Sequence, residues 1–193
     1  LTLIGLVAFN DPPREGITES FRHLKNAGIK IIMLTGDYSL TAACVAHQAG
    51  ILKDTLYYDN FHKLHDLKIK LKQPKNDHVH SVKSLVISGN EIDLVTQEEW
   101  KLLCNYYDEI LLARATPSHK QRCIKEMQSN GYVVGMIGDG LNDVPAMKSA
   151  DIGIAIGSGS KICLQTSSMI LLDSNFSYLI NCIQNSRLCY ENM

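Results

Sequence analysis

Several familiar features are missing from these 193 residues, and each absence narrows the possibilities. No apolar run reaches the roughly 18 to 20 residues that a bilayer-crossing helix needs. Nothing at the start reads as a secretory signal. The formal net charge of -1 gives no field that would hold nucleic acid or an anionic membrane surface, so nucleic acid is excluded as a partner. The cysteines, at positions 44, 104, 123, 163, 182 and 189, form no CxxC pair and no disulfide-framework spacing, which points to a reduced, cytosolic setting. There is no GxxxxGK[ST] loop and no GxGxxG. The opening "LTLIGLVAF" lacks an initiator Met and the end at Met193 falls in mid-pattern. The chain reads as a segment of something longer.

What is present is a repeated alternation. A 45% hydrophobic composition suffices for one well-packed domain. "REGITESFRHLKNAG" leads into "IKIIMLTG", and "HKQRCIKEMQSNG" into "YVVGMIG". Gly28, Gly50 and Gly131 stand where a helix ends in a left-handed residue. The runs Ile29–Leu34, Ser84–Ile87, Ile110–Ala113, Tyr132–Ile137 and Ile152–Ile156 are apolar on both faces, as buried parallel strands are. This alternation predicts an α/β fold with an open, doubly wound parallel sheet. Ligands bind such sheets at the carboxyl ends of the strands, where "TGD", "ARATPSHK" and "GDGLND" lie. Residues 53–83 are polar and read as an insertion, helical around Phe61–Leu71. Its His62, His65, His78 and His80 read as loop histidines, since no cysteine or acid completes a zinc spacing. Trp100, on a helix expected over Gln97–Tyr106, reads as a packing residue.

Three strand ends carry the candidate chemistry. Asp139 leaves its strand into a loop, and Asn142 and Asp143 open the next helix. Either could simply cap that helix. A hard divalent cation gives another reason to crowd Asp139 and Asp143 together, because Mg²⁺ takes one or two carboxylates and leaves other positions to water and phosphate oxygens. Thr35 offers a hydroxyl and Gly36 an open backbone N–H to a phosphoryl oxygen, while Asp37 reads equally as an N-cap or a ligand. Thr116 is a candidate N-cap with Pro117 in first helical position. Lys120 then falls in the first turn, where its charge opposes the helix dipole unless an anion faces it. A lone lysine is usually solvated; Thr35 and Asp139 make this one a candidate. Hydroxyl, ammonium and carboxylates converging from separate strands suit phosphoryl transfer.

In combination, "TGD", "ARATPSHK", "GDGLNDVPAMKSADIGIAIGSGS" and the opening "DPPR" closely resemble the phosphorylation domain of P-type cation-transporting ATPases, within the haloacid-dehalogenase-like superfamily. The resemblance runs essentially from Leu1 to Met193. It implies that Thr35 contacts the phosphoryl group, Lys120 neutralises it and Asp139 coordinates Mg²⁺. Asn142 and Asp143 would support that site, and Gly36, Asp37 and Arg114 would serve the nucleotide, ATP. It implies a hinge and strand from the nucleotide-binding domain over 1–14, with Asp11 to Arg14 as the hinge. The later part of the phosphorylation domain would occupy 15–175, and a helix toward the membrane stalk 176–193. The family's nucleophile, the aspartate of Asp-Lys-Thr-Gly-Thr, is not in the sequence and is expected upstream. Ile137 stands where many cation pumps have threonine, and "QNSR" replaces the more usual "EEGR".

The insertion followed by "VISGNEIDLVTQEEW" looks most like the sodium/potassium and proton/potassium pump group; "PSHK" and "IAIGSGS" are also reminiscent of calcium pumps. The expected partners are nucleotide-binding, actuator and transmembrane domains of the same polypeptide, with a beta subunit if the sodium/potassium type holds. The expected setting is the cytoplasmic side of a membrane, the plasma membrane by this resemblance. A soluble phosphatase of the superfamily and a catalytically dead regulatory domain are the competing readings.

Overall fold

A computed structural model describes residues 4–5, 7, 12–54, 58–71, 83–173 and 175–193. Asp11, His78, His80 and most of the expected hinge strand lie outside the described residues. The element order is α1 Ile17–Asn26, β1 Ile31–Leu34, α2 Ser39–Gln48, α3 Phe61–Leu71, β2 Ser84–Ser88, α4 Gly89–Ile92, α5 Gln97–Tyr106, β3 Glu109–Ala113, α6 Pro117–Ser129, β4 Gly135–Gly138, α7 Val144–Ser149, β5 Ile152–Ile156, α8 Lys161–Thr166, β6 Met169–Leu171 and α9 Ser177–Glu191. A 3₁₀ turn over Leu141–Asp143 precedes α7. Helix ends follow the sequence closely: Gly28 (φ 78°) and Gly131 (φ 87°) occupy the left-handed region just past α1 and α6, where a Cβ would be strained.

All pairing between these strands is parallel, in two three-stranded sheets ordered β1-β3-β2 and β4-β5-β6. The sequence pattern predicts one continuous sheet, but among the described strands β1 and β4 are each an edge and do not pair with each other. The apolar clusters nevertheless cross from sheet to sheet. Alternate residues of the first sheet face opposite ways. Leu85, Ile87, Ile110 and Leu112 pack beneath α3, α5 and α6, while Val86, Leu111 and Ala113 pack beneath α1, α2 and α9. The second sheet divides likewise: Ile154 and Leu171 join that latter cluster, and Met136 and Ala155 pack with α7 and α8. Burial on both faces is why these strands read as unbroken apolar runs. The strand β6 was not visible in that pattern; at three residues it is too short to show a period.

Polar groups fasten the edges of this core. Glu109, 3% exposed, accepts the Ser84 hydroxyl at 2.5 Å and the Lys53 N–H at 3.0 Å, with the Lys25 ammonium 3.7 Å away. The segment before β2 is stitched in as well. Asp59 bridges to Leu85 in parallel and accepts the buried Tyr107 hydroxyl at 2.8 Å. Leu64 on α3 is fully buried, and His65 Nδ1 lies 2.8 Å from Glu99, which also closes the capping box at Thr96 that starts α5. Trp100 packs in the same core, fully buried, with its indole N–H unpartnered among the described residues.

The thiols provide a test of this packing. Cys104, Cys123 and Cys163 are buried, whereas Cys44 and Cys189 are exposed. Burial pushes Cys104 from an ordinary value near 9 up to about 11 and Cys123 up to about 12. In the native chain, a thiol reagent at pH 8 should label Cys44 and Cys189 and leave those three unlabelled until denaturant is added. The unfolded chain releases these protons first, so stability should fall as pH rises from about 9 toward 11. Urea midpoints that stay level over that range would contradict the burial.

Candidate functional site

The first part of the site is the end of β1. Thr35 donates its hydroxyl to Asp37 Oδ2 at 3.0 Å and accepts the Asp37 N–H at 3.1 Å. Asp37 is therefore not the cap of α2; that position is Tyr38, which makes no side-chain capping bond. This turn is sewn to the end of β3, since the Arg114 N–H donates to the Asp37 carbonyl at 2.9 Å and the Ala115 N–H to the Thr35 carbonyl at 2.8 Å. Arg114 adopts φ 51°, the one non-glycine positive φ among the described residues. A left-handed residue with a Cβ costs about 1–2 kcal/mol, which the surrounding contacts must offset. Gly36, Asp37 and Arg114 all face solvent.

The second part is the start of α6. Thr116 accepts the His119 N–H at 3.3 Å, Pro117 occupies the first turn, and His119 Nδ1 accepts the Thr116 N–H at 3.3 Å, which completes a capping box. His119 Nε2 lies 3.2 Å from Asp93 Oδ2. Arg122 donates to the carbonyls of Ile92 and Val95 at 2.9 and 2.7 Å. One face of the start of α6, His119 and Arg122, is thus tied to α4 and the residues after it, and Lys120 projects from the first turn.

Lys120 does not reach into solvent. Its Nζ lies 2.7 Å from Asp143 Oδ1, with side-chain exposures of 11% and 13%. Asp143 is the residue that precedes α7 but makes no capping bond with that helix; its other oxygen receives the Gly140 N–H at 3.4 Å. Neither the helix-capping reading of Asp143 nor the solvated reading of Lys120 survives this geometry. Gly138 makes room for the pair: an added Cβ there would come within 2.5 Å of the Asp143 Cβ.

Asp139 stands apart. It is exposed, and its carboxylate makes no hydrogen bond or ion pair among the described residues. Its carbonyl accepts the Ser160 N–H at 2.8 Å, so the loop after β5 holds the backbone while the side chain stays available. Asn142 is exposed beside it. The Cys163 thiol packs on Met147 at 3.2 Å; burial first, then the carboxylates of Asp143 and Asp139, raises its pKa. Among the described residues no three acidic, His or Cys side chains gather into a metal cage. One uncommitted carboxylate beside a neutralised one fits a cation that keeps mostly water and phosphate oxygens, as Mg²⁺ does.

The geometry joins Thr35 to Asp37, and Lys120 to Asp143, and α6 links the two halves. It does not join Asp139 to any of them by a side-chain bond. His119, Ser160 and Gly138 were not singled out from the sequence as site residues. Gly138 carried a local signal within "GDG"; His119 caps locally with Thr116 but reaches Asp93 26 positions away, and the Ser160 N–H meets the distant Asp139 carbonyl.

The family model for haloacid dehalogenase-like hydrolases matches residues 1–151. The chain is 35% identical over 195 aligned residues to the sodium/potassium-transporting ATPase subunit alpha-1 of Oreochromis mossambicus. It is 34% identical to the subunit alpha-A of Artemia franciscana and 37% identical to the subunit alpha of Hydra vulgaris, each over the same length. Each alignment covers 100% of this chain and 19% of the relative, so the chain spans about a fifth of the length of the curated relatives it matches. Parallel α/β architecture, polar groups clustered at the strand ends and the family match agree: this chain belongs to the haloacid dehalogenase-like hydrolases, as a segment homologous to sodium/potassium-transporting ATPase alpha subunits.

Proposed function

We propose that this chain is the later part of the phosphorylation domain of an ATP-driven cation pump, in which ATP phosphorylates an aspartate and water then hydrolyses the aspartyl phosphate, releasing phosphate and restoring the carboxylate. The observation that carries the reading is the Lys120–Asp143 pair at 2.7 Å beside the uncommitted Asp139. A lysine already oriented at a strand end can stabilise charge that develops on a transferred phosphoryl group without reorganising at that moment. Asp143 holds the ammonium in place, and Thr35 is held by Asp37 with its oxygen at the neighbouring strand end. Asp139 would hold Mg²⁺, which supplies neutralisation of phosphoryl oxygens. The nucleophilic aspartate would come from a segment outside these 193 residues. Gly36, Asp37 and Arg114, exposed around Thr35, would meet the nucleotide.

The sodium/potassium type is favoured by the relatives at 34–37% identity, which are sodium/potassium-transporting ATPase alpha subunits. On that reading the chain works with the nucleotide-binding, actuator and transmembrane parts of its own polypeptide, and with a beta subunit, on the cytoplasmic side of the plasma membrane. No helix among the described residues is long and apolar enough to cross a membrane; α9 would lead toward one.

Two experiments test the assignment. In the whole polypeptide, Asp139→Asn should lower the rate of phosphoenzyme formation from labelled ATP by on the order of 10² to 10³, read on an acid gel. Near-normal phosphoenzyme at low Mg²⁺ would remove Asp139 from the site. The ion pair is tested through stability. Lys120→Ala leaves a buried carboxylate unpaired and should destabilise the chain by roughly 3 kcal/mol in urea unfolding. Lys120→Ala combined with Asp143→Ala should cost clearly less than the sum of the two single changes. Strict additivity would mean that the pair does not form in solution.

A further inference from the structure

One contact at the mouth of the site is not used by the phosphoryl chemistry. The Arg114 guanidinium carbon lies 4.8 Å from the centroid of the Tyr38 ring, although Tyr38 is 68% exposed. Surface stacks of this kind are usually weak. The backbone beneath distinguishes this one. Arg114 sits at φ 51°, and two hydrogen bonds to the Thr35–Asp37 turn, from the Arg114 and Ala115 N–H groups at 2.9 and 2.8 Å, hold the backbone there. Gly89 leaves room for it, since an added Cβ would come within 2.2 Å of the Arg114 carbonyl oxygen.

A strained conformation that the surrounding structure over-determines is where function is sought. Here the strain has a geometric result: the backbone turns so that the arginine lies on the ring of the residue following Asp37. The ring covers one face of the guanidinium, while its N–H edge has no hydrogen-bond or ion-pair partner among the described residues. An arginine whose fork is ordered in advance loses less freedom when it binds an anion.

We infer that Tyr38 is a positioning residue: its ring holds Arg114 ready to take the phosphate oxygens of a nucleotide at the mouth of the Thr35 turn. This inference rests on the phosphoryl-transfer reading for its ligand, and its chemistry makes a distinct demand. The ring is required and its hydroxyl is not, since the attraction comes from the aromatic face. An aliphatic side chain of similar bulk fails.

The test uses the whole polypeptide with wild-type Tyr38, Tyr38→Phe and Tyr38→Leu. Equilibrium binding of ADP, KM for MgATP and phosphoenzyme at saturating MgATP are measured on the same preparations. Tyr38→Leu should weaken ADP binding and raise KM about two- to fivefold, with a smaller change in maximal phosphoenzyme, and Tyr38→Phe should retain wild-type values. In the 193-residue chain, the Arg114 Nε–H resonance should be ring-shifted in wild type and in Tyr38→Phe, and return to an ordinary position in Tyr38→Leu. Unchanged ADP binding in Tyr38→Leu, equal weakening in both variants, or no ring shift in wild type would overturn the inference. A wild-type protein that binds ADP through the stack and forms no phosphoenzyme would instead defeat the phosphoryl-transfer reading and leave the role of Tyr38 standing.

Discussion

Parallel pairing is the constraint from which the rest of this molecule follows. A chain that returns to the same end of a sheet before each strand must cross over, and in this one every crossover between paired strands includes a helix. The helices then cover both faces, which obliges the strands to be apolar throughout. Within each sheet the carboxyl ends of the strands open in one direction. Residues eighty positions apart, such as Thr35 and Ala115, are brought into backbone contact with no local sequence relation between them.

At those ends the problem is one of charge. Two carboxylates, Asp139 and Asp143, leave the same strand end, and the fold treats them differently. One is withdrawn from water and matched by an ammonium from another helix; the other is left in solvent. That division produces a neutralised, rigid half and an available half within five residues of chain. The rigid half depends on small details of packing, notably the missing side chain at Gly138.

Much of the fold was legible because it is encoded locally. Strand burial, the glycines at the ends of α1 and α6, and the Thr116–Pro117 start of α6 each depend on a few adjacent residues. The site was legible as a set of residue types, but not as a set of partners. Nothing in the sequence says that Lys120 faces Asp143, or that Asp37 turns toward Thr35 instead of capping α2. Ion pairs and side-chain stacks depend on register between distant elements. The division into two sheets was hidden for the same reason: strand order is a property of pairing, and the composition of β1 or β4 does not carry it.

The segment that precedes β2 has a consequence for how such chains can be shortened or varied. By composition it looks dispensable, a polar stretch between two regular elements. Yet Leu64 has become part of the core, the buried Tyr107 hydroxyl ends on Asp59, and His65 meets Glu99. A deletion from 58 to 71 would open a void under α5 and remove one hydrogen bond each from the Tyr107 hydroxyl and the Glu99 carboxylate, at about 0.5–1.5 kcal/mol for each bond beside the cost of the void. Losses of that size rival the net stability of a domain. A stretch that looks like a spacer has thus become load-sharing: shortening it between 58 and 71 costs stability that its polar composition does not announce.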